Sequence, residues 1–249
     1  MIPAVSLLMS PDNADLIIKV SNDCGIFNFE SVAGRDLNIK SAISIQSLFN
    51  GIECKSFFVN DESVEYYSSL LIKRINELYN KYKCKNYVFG SPKFRNINNT
   101  DDELRAFYFF RKVCENIPTD AILSIENNPR EYGTNFATDF LQCVNVVNKI
   151  DMPNFKINLD LGGFFKSNDK LDDVLKHTNM INHIHISRFN LLPISDLSNE
   201  EINLYKNIVS QINKVYNGTI SLEVNIKQGI TEDFIKKEIY SFKEIIGIW

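Results

Sequence analysis

Residues 155–187 read FKINLDLGGFFKSNDKLDDVLKHTNMINHIHIS. Two short β-rich runs, Phe155 to Leu161 and Ile181 to Ser187, enclose a polar stretch in which Asp169 to Lys176 has helical character. A strand, a helix and a second strand in so short a span make a βαβ unit, with the two strands parallel. Both strands carry chemistry. Asp160 sits inside the apolar run INLDLG, and His183 and His185 alternate along HIHIS.

The same alternation extends in both directions. Downstream, Ser198-Asn199-Glu200-Glu201 opens a helix as a capping box, and Thr219 to Val224 is a strand. A last helix begins near Thr231 and carries Phe234, Ile235, Ile239, Phe242 and Ile246. Upstream, helices are predicted over Asn135 to Lys149, Asp101 to Asn116 and Glu62 to Lys83. In the last of these, Val64, Tyr67, Leu71, Ile75, Leu78 and Tyr82 form one apolar stripe. Between them lie strands at Ala121 to Ile125 and Asn86 to Gly90. Ala42 to Leu48, Phe27 to Ser31 and Pro3 to Leu8 precede these, and the helix after the first strand stops at Gly25.

That pattern gives eight strands, most followed by a helix, with no composition break. It predicts an α/β fold, a single (β/α)8 TIM barrel domain over residues 1–249. An open doubly wound sheet alternates in the same way. It is disfavoured because no glycine-rich phosphate loop follows the first strand, and because polar residues cluster at the C-terminal ends of many strands.

Composition bounds the partners. Hydrophobic residues make up 44% and charged residues 23%, with a net charge of −4. An acidic chain is poorly suited to neutralising phosphates, so nucleic acid is not expected as a partner. The start of the chain lacks a basic segment ahead of its apolar residues, and no apolar run approaches a membrane span. Five cysteines with no CxxC pair fit reduced thiols, and the expected location is cytoplasmic.

The strand ends hold the candidate site. In order they supply Glu30 (FNFES), Gln46 (SIQS), Lys93 and Arg95 (GSPKFR), Glu126 (SIENNP), Asp160 (NLDLGG), His183 and His185 (HIHIS) and Glu223 (SLEVN). Carboxylates in apolar runs are costly unless paired, protonated or metal-bound. If the face shared by His183 and His185 is the lumen, Glu126, Asp160, His185 and Glu223 converge from four consecutive strands. Such a donor set suits Mn²⁺, Mg²⁺ or Co²⁺, with Zn²⁺ as a further candidate. Two glutamates beside a cation that polarises a carbonyl could remove a proton and return it. Taken singly, each residue has a plain structural reading: a strand-end Glu as a cap, a strand His as a hydrogen-bonded core residue, Lys93 and Arg95 as loop charges.

The words SIQSLFNG, YVFGSPKFR, IENNPREYGTNF, INLDLGG, INHIHIS and SLEVN, in this order and strand placement, resemble the xylose isomerase-like barrel superfamily of sugar phosphate isomerases and epimerases. The resemblance covers about Ala42 to Asn225. It implies Glu126, Asp160, His185 and Glu223 as metal ligands, with Glu126 and Glu223 as the acid/base pair. Glu30, Gln46, Lys93 and Arg95 are implied as pocket residues, with His183 one layer deeper. The partner it implies is a small sugar or sugar phosphate; relatives often form homo-oligomers. Two departures stand out: Gly163 where many relatives have His in a DxGH word, and Arg188 where many have an acidic residue. With Lys93 and Arg95, Arg188 hints at an anionic group on the substrate. A cyclitol or keto-acid dehydratase would use the same site. A non-catalytic sugar-binding barrel is a third reading. An apurinic-site endonuclease is disfavoured by a total of three histidines.

Overall fold

Within the strand runs, polar and apolar residues alternate with period two, and that alternation builds the molecule. Ile45, Leu123, Ile125, Ile157, Leu159, Ile184, Ile186, Ile220 and Leu222 join one apolar cluster with the helices. Their neighbours Ser44, Gln46, Ser124, Asn158, His183, His185 and Ser221 are also buried, on the opposite face. The computed structural model describes residues 1–35, 39–226 and 229–248.

Eight strands form in chain order: β1 (Ile2–Ser6), β2 (Phe29–Val32), β3 (Ser44–Gln46), β4 (Asn86–Phe89), β5 (Ile122–Glu126), β6 (Phe155–Asp160), β7 (Ile181–Ile186) and β8 (Thr219–Leu222). Each pairs in parallel with the next, and β8 returns to β1, closing the barrel. The helices are α1 (Ala14–Asp23), α2 (Asp61–Tyr82), α3 (Thr100–Asn116), α4 (Phe140–Ile150), α5 (Leu161–Lys166), α6 (Leu171–Lys176), α7 (Asn199–Asn213) and α8 (Glu232–Ile246). The expected (β/α)8 barrel is therefore the fold. No helix among the described residues is long and apolar enough to cross a membrane.

Local chemistry starts the helices. Asn60, Asn99, Asp139, Ser198 and Thr231 each accept a hydrogen bond from the amide three residues on, and Ser198 with Glu201 completes the capping box. An aromatic cluster fills the space between β3–β6 and helices α2 and α3, with Phe89 and Phe110 edge to face at 4.9 Å. All five cysteines are free, and burial pushes Cys84 and Cys114 up to about 12, which keeps those thiols unreactive.

Two helices differ from the sequence reading. Helix α4 begins at Phe140 rather than Asn135, because Ala137 takes a left-handed φ of 56° and Asp139 is the cap. Helix α5 is additional. The Asp160 carboxylate accepts from the Gly162 and Gly163 amides at 3.2 and 2.7 Å, which starts a helix through two poor helix formers.

The N-terminus of α4 also carries a titratable strain. Asp169 accepts from the Phe140 amide, yet burial and the charges of Asp139 and Asp173 push its carboxyl up to about 7. A raised carboxyl holds its proton in the folded state after the unfolded chain has lost it, so stability falls as pH climbs from about 4 to 7. Asp169→Asn should raise the urea midpoint at pH 8, and that advantage should disappear near pH 4. Parallel urea melts of both proteins across this range check it.

Candidate active site

The lumen is polar through several layers, where a TIM barrel usually stacks branched apolar side chains. Strands β2 and β3 are not neighbours of β7, so side-chain contacts between them cross the lumen. Ser44 Oγ meets His183 Nε2 at 3.3 Å, and Glu30 Oε2 meets His185 Nε2 at 2.9 Å. His183 also faces Ser221 Oγ at 3.0 Å and contacts Thr219 through its other ring nitrogen. These contacts fix both imidazoles in the barrel interior, His183 below His185.

Above them, at the C-terminal mouth, lies a cavity of about 520 Å³. Glu126, Asp160 and Glu223 reach it, together with Gln46, Lys93 and Tyr132. His185 lies beneath: its Nδ1 stands 3.0 Å from Glu126 Oε1 and 3.0 Å from Glu223 Oε2. Ligand atoms of Glu126, His185 and Glu223 lie within 4.8 Å of one another. The lower trio of Glu30, His183 and His185 meets the same spacing but is wholly buried.

Burial and charge set the protonation of this cluster. Burial would lower His185, but Glu223, Glu30 and Glu126 outweigh it and hold the imidazole well above its ordinary range. Burial would raise Glu126; hydrogen bonding and charge from His185, with the Asn128 amide and the Arg95 guanidinium, hold it below. Glu223 goes the other way, because burial exceeds the pull of His185. Asp160 is pushed well up by burial and then by the charges of Glu126 and Glu223. Environments that drive paired carboxyl groups apart are the usual preparation for acid/base work.

The other expected site residues fall in different places. Gln46 lines the cavity and donates to Glu30 Oε1 and Ser6 Oγ at 2.6 and 3.0 Å. Lys93 lines the wall and is exposed. Glu30 lies under His185 and is 0% exposed, so it is not a pocket residue. Arg95 does not reach the pocket either. Its guanidinium is buried and donates to the backbone carbonyls of Glu126 and Ala137, because the turn Pro92–Phe94 directs it behind β5. Arg188 lines a separate groove with Phe165 and Tyr205, on the outer side of the barrel.

Several residues not singled out from the sequence also build the site. Asn158 donates to Glu126 Oε1 at 2.8 Å and lies 3.1 Å from His185 Nδ1. It alternates with Asp160 in INLDLG, which is the signal that marks it. Gly90 leaves room for Glu126, since a Cβ there would stand 2.9 Å from Glu126 Oε2. Tyr132 stacks on Phe189 and accepts from the Asn190 amide at 2.8 Å, joining two loops into one cavity wall. Gly163, the departure from DxGH, has a steric cause in this chain. A Cβ there would lie 2.5 Å from the Asn127 carbonyl oxygen, so no side chain fits without a shift.

No protein-family model matches the sequence, and no curated protein does. Solved structures do. A D-allulose 3-epimerase from Methylomonas sp., in complex with D-allulose, superposes with a TM-score of 0.77 at 12% identity, over 98% of this chain and 96% of its own. The 3-keto-D-glucoside 4-epimerase YcjR from E. coli gives 0.73 at 13% identity, over 98% and 99%. IOLI protein with a bound zinc atom gives 0.73 at 11%, over 99% and 98%. The structures this chain resembles are thus sugar epimerases and related xylose isomerase-like barrels. A probable 3-DHS dehydratase and an AP endonuclease share the fold, so the likeness identifies the architecture and leaves the reaction to the site.

Proposed function

We propose that the protein is a metal-dependent isomerase or epimerase of a small sugar or sugar phosphate, with Glu126 and Glu223 as its proton-transferring pair. The observation that carries this reading is the meeting of both carboxylates at one nitrogen of His185, beneath a cavity of sugar size.

The residues fit a divalent cation. Two carboxylate oxygens and a ring nitrogen face a common point, a set that suits Mn²⁺, Mg²⁺ or Co²⁺ and tolerates Zn²⁺. Glu126, His185 and Glu223 would hold it. Asp160, also lining the cavity, is the fourth candidate, with its carboxylate already anchored to two amides. When bound, such an ion supplies Lewis-acid polarisation of a carbonyl oxygen.

The chain's own groups do the rest. Glu126, held ionised, takes the proton from the carbon beside the substrate carbonyl. The C–H electron pair passes into the new C=C bond of an enediolate, and the carbonyl π pair moves onto oxygen. Glu223, its carboxyl raised by burial, returns a proton to carbon. Delivery to the opposite face of the same carbon gives epimerisation; delivery to the former carbonyl carbon, with the neighbouring hydroxyl's proton passing to the former carbonyl oxygen, gives isomerisation. Asn158 holds Glu126 in place, and Lys93 offers a cation to an anionic substituent. The test is solvent exchange. The Mn²⁺-loaded protein, incubated in D₂O with a panel of free and phosphorylated ketoses, should place deuterium beside the carbonyl of at least one, read by NMR. No incorporation across the panel would count against the reading.

A further inference from the structure

Glu30 is a carboxylate in the middle of a barrel, 0% exposed and absent from the cavity wall, so it cannot touch substrate. Its surroundings define what it does. Oε1 accepts from the Gln46 amide at 2.6 Å. Oε2 accepts from Ser44 Oγ at 2.7 Å and faces His185 Nε2 at 2.9 Å and His183 Nε2 at 3.2 Å. Gln46 and Ser44 are neutral, so the two imidazoles supply the only charge-capable partners this buried carboxylate has among the described residues.

We propose that Glu30 is a positioning residue. It accepts the Nε2–H of His185, so that Nδ1, which faces Glu126 and Glu223, is the nitrogen that gives up its proton to ligate a divalent cation. The proposal rests on the metal reading above. An imidazole that ligates a metal through one nitrogen must carry its proton on the other, and inside a protein that proton needs an acceptor. Here the acceptor is the carboxylate of β2, reaching across the lumen to β7. Gln46 and Ser44 hold it still, so the ring plane is fixed before any cation arrives. The lower trio of Glu30, His183 and His185 is the competing location. It is shut off from the cavity, and Glu30 already accepts two hydrogen bonds there. A cation in that trio would take Nε2 of His185 and leave the proton on Nδ1, the opposite tautomer.

The experiment compares wild type, Glu30→Gln and Glu30→Ala by calorimetric titration with Zn²⁺. ¹⁵N NMR of the Zn²⁺-loaded wild type then reads the His185 tautomer. Glu30→Gln keeps the shape and remains foldable if Glu30→Ala is not. Expected are about tenfold weaker Zn²⁺ binding for Glu30→Gln, about a hundredfold for Glu30→Ala, and a proton on Nε2 in the loaded wild type. Equal affinity in wild type and Glu30→Gln overturns the role given to Glu30, as does a proton on Nδ1. The two readings fail differently: a wild type that binds neither Zn²⁺ nor Mn²⁺ removes the metal centre itself, whereas tight binding indifferent to Glu30 removes this proposal alone.

Discussion

Glu126→Gln and Glu223→Gln should each lower turnover by about 10²–10⁴-fold, the span expected when a positioned acid or base is removed. Glutamine keeps the size and the hydrogen-bonding reach of glutamate but neither takes nor gives a proton at neutral pH. In Glu126→Gln, the Asn158 amide and His185 Nδ1 still have an oxygen to face, so the local packing survives. The two variants should separate by half-reaction. Losing the base should abolish exchange of the α-proton with D₂O. Losing the acid should leave residual exchange at the carbon facing Glu126 while stopping product formation. Both residues are also candidate ligands, so the measurement is made at saturating Mn²⁺ with the metal content of each variant determined. Turnover within tenfold of wild type in both, with metal bound, would remove the glutamate pair from the chemistry.

The parts of this site legible in the sequence were those governed by strand parity. Ile157-Asn158-Leu159-Asp160 and Ile184-His185-Ile186 state by alternation which side chains face the helices and which face the lumen. Parity does not state depth. Glu30 and Glu126 both read in the sequence as acids at strand ends, but β2 runs on to Val32, two residues past Glu30. Glu30 is in register with Ser6 and Ser44 and finishes under His185, while Glu126 reaches the cavity; closing a barrel staggers its strands in this way. Loops escape parity altogether. Arg95 follows a turn whose backbone, starting at a left-handed Ser91, decides its direction. Arg188 marks the opposite case. Continuing the β7 alternation places it with Ile184 and Ile186, on the helix side, which is where the groove against Phe165 and Tyr205 puts it. Helix α5 was hidden because its start depends on the Asp160 carboxylate satisfying two amides, whereas Gly162 and Gly163 read as loop.

The largest effect on stability should come from Glu238, a carboxylate far from the chemistry. It projects from α8, is 0% exposed, and accepts from the Ile194 and Ser195 amides at 2.9 and 3.1 Å. It thereby ties α8 to the turn Ile194–Asp196, which ends the loop carrying Asn190 and Leu191 into the cavity wall. Glu238→Ala strands the buried Ile194 amide and the part-buried Ser195 amide, at about 1–3 kcal/mol each. For a chain of this length that corresponds to a fall in Tm of roughly 5–15 °C. Glu238→Gln keeps one acceptor and should fall by less than half as much. The pH dependence separates the charge from the hydrogen bonds. Burial raises Glu238, despite the amides and the Ser195 contact that pull it down. The folded protein therefore holds this proton above the pH at which the unfolded chain releases it, and wild type should gain stability relative to Glu238→Gln as pH falls toward 4.5. Thermal melts of the three proteins at pH 8 and pH 5 measure both effects. If Glu238→Ala melts within 2 °C of wild type at pH 8, the two amides have found other acceptors and α8 does not hold the loop.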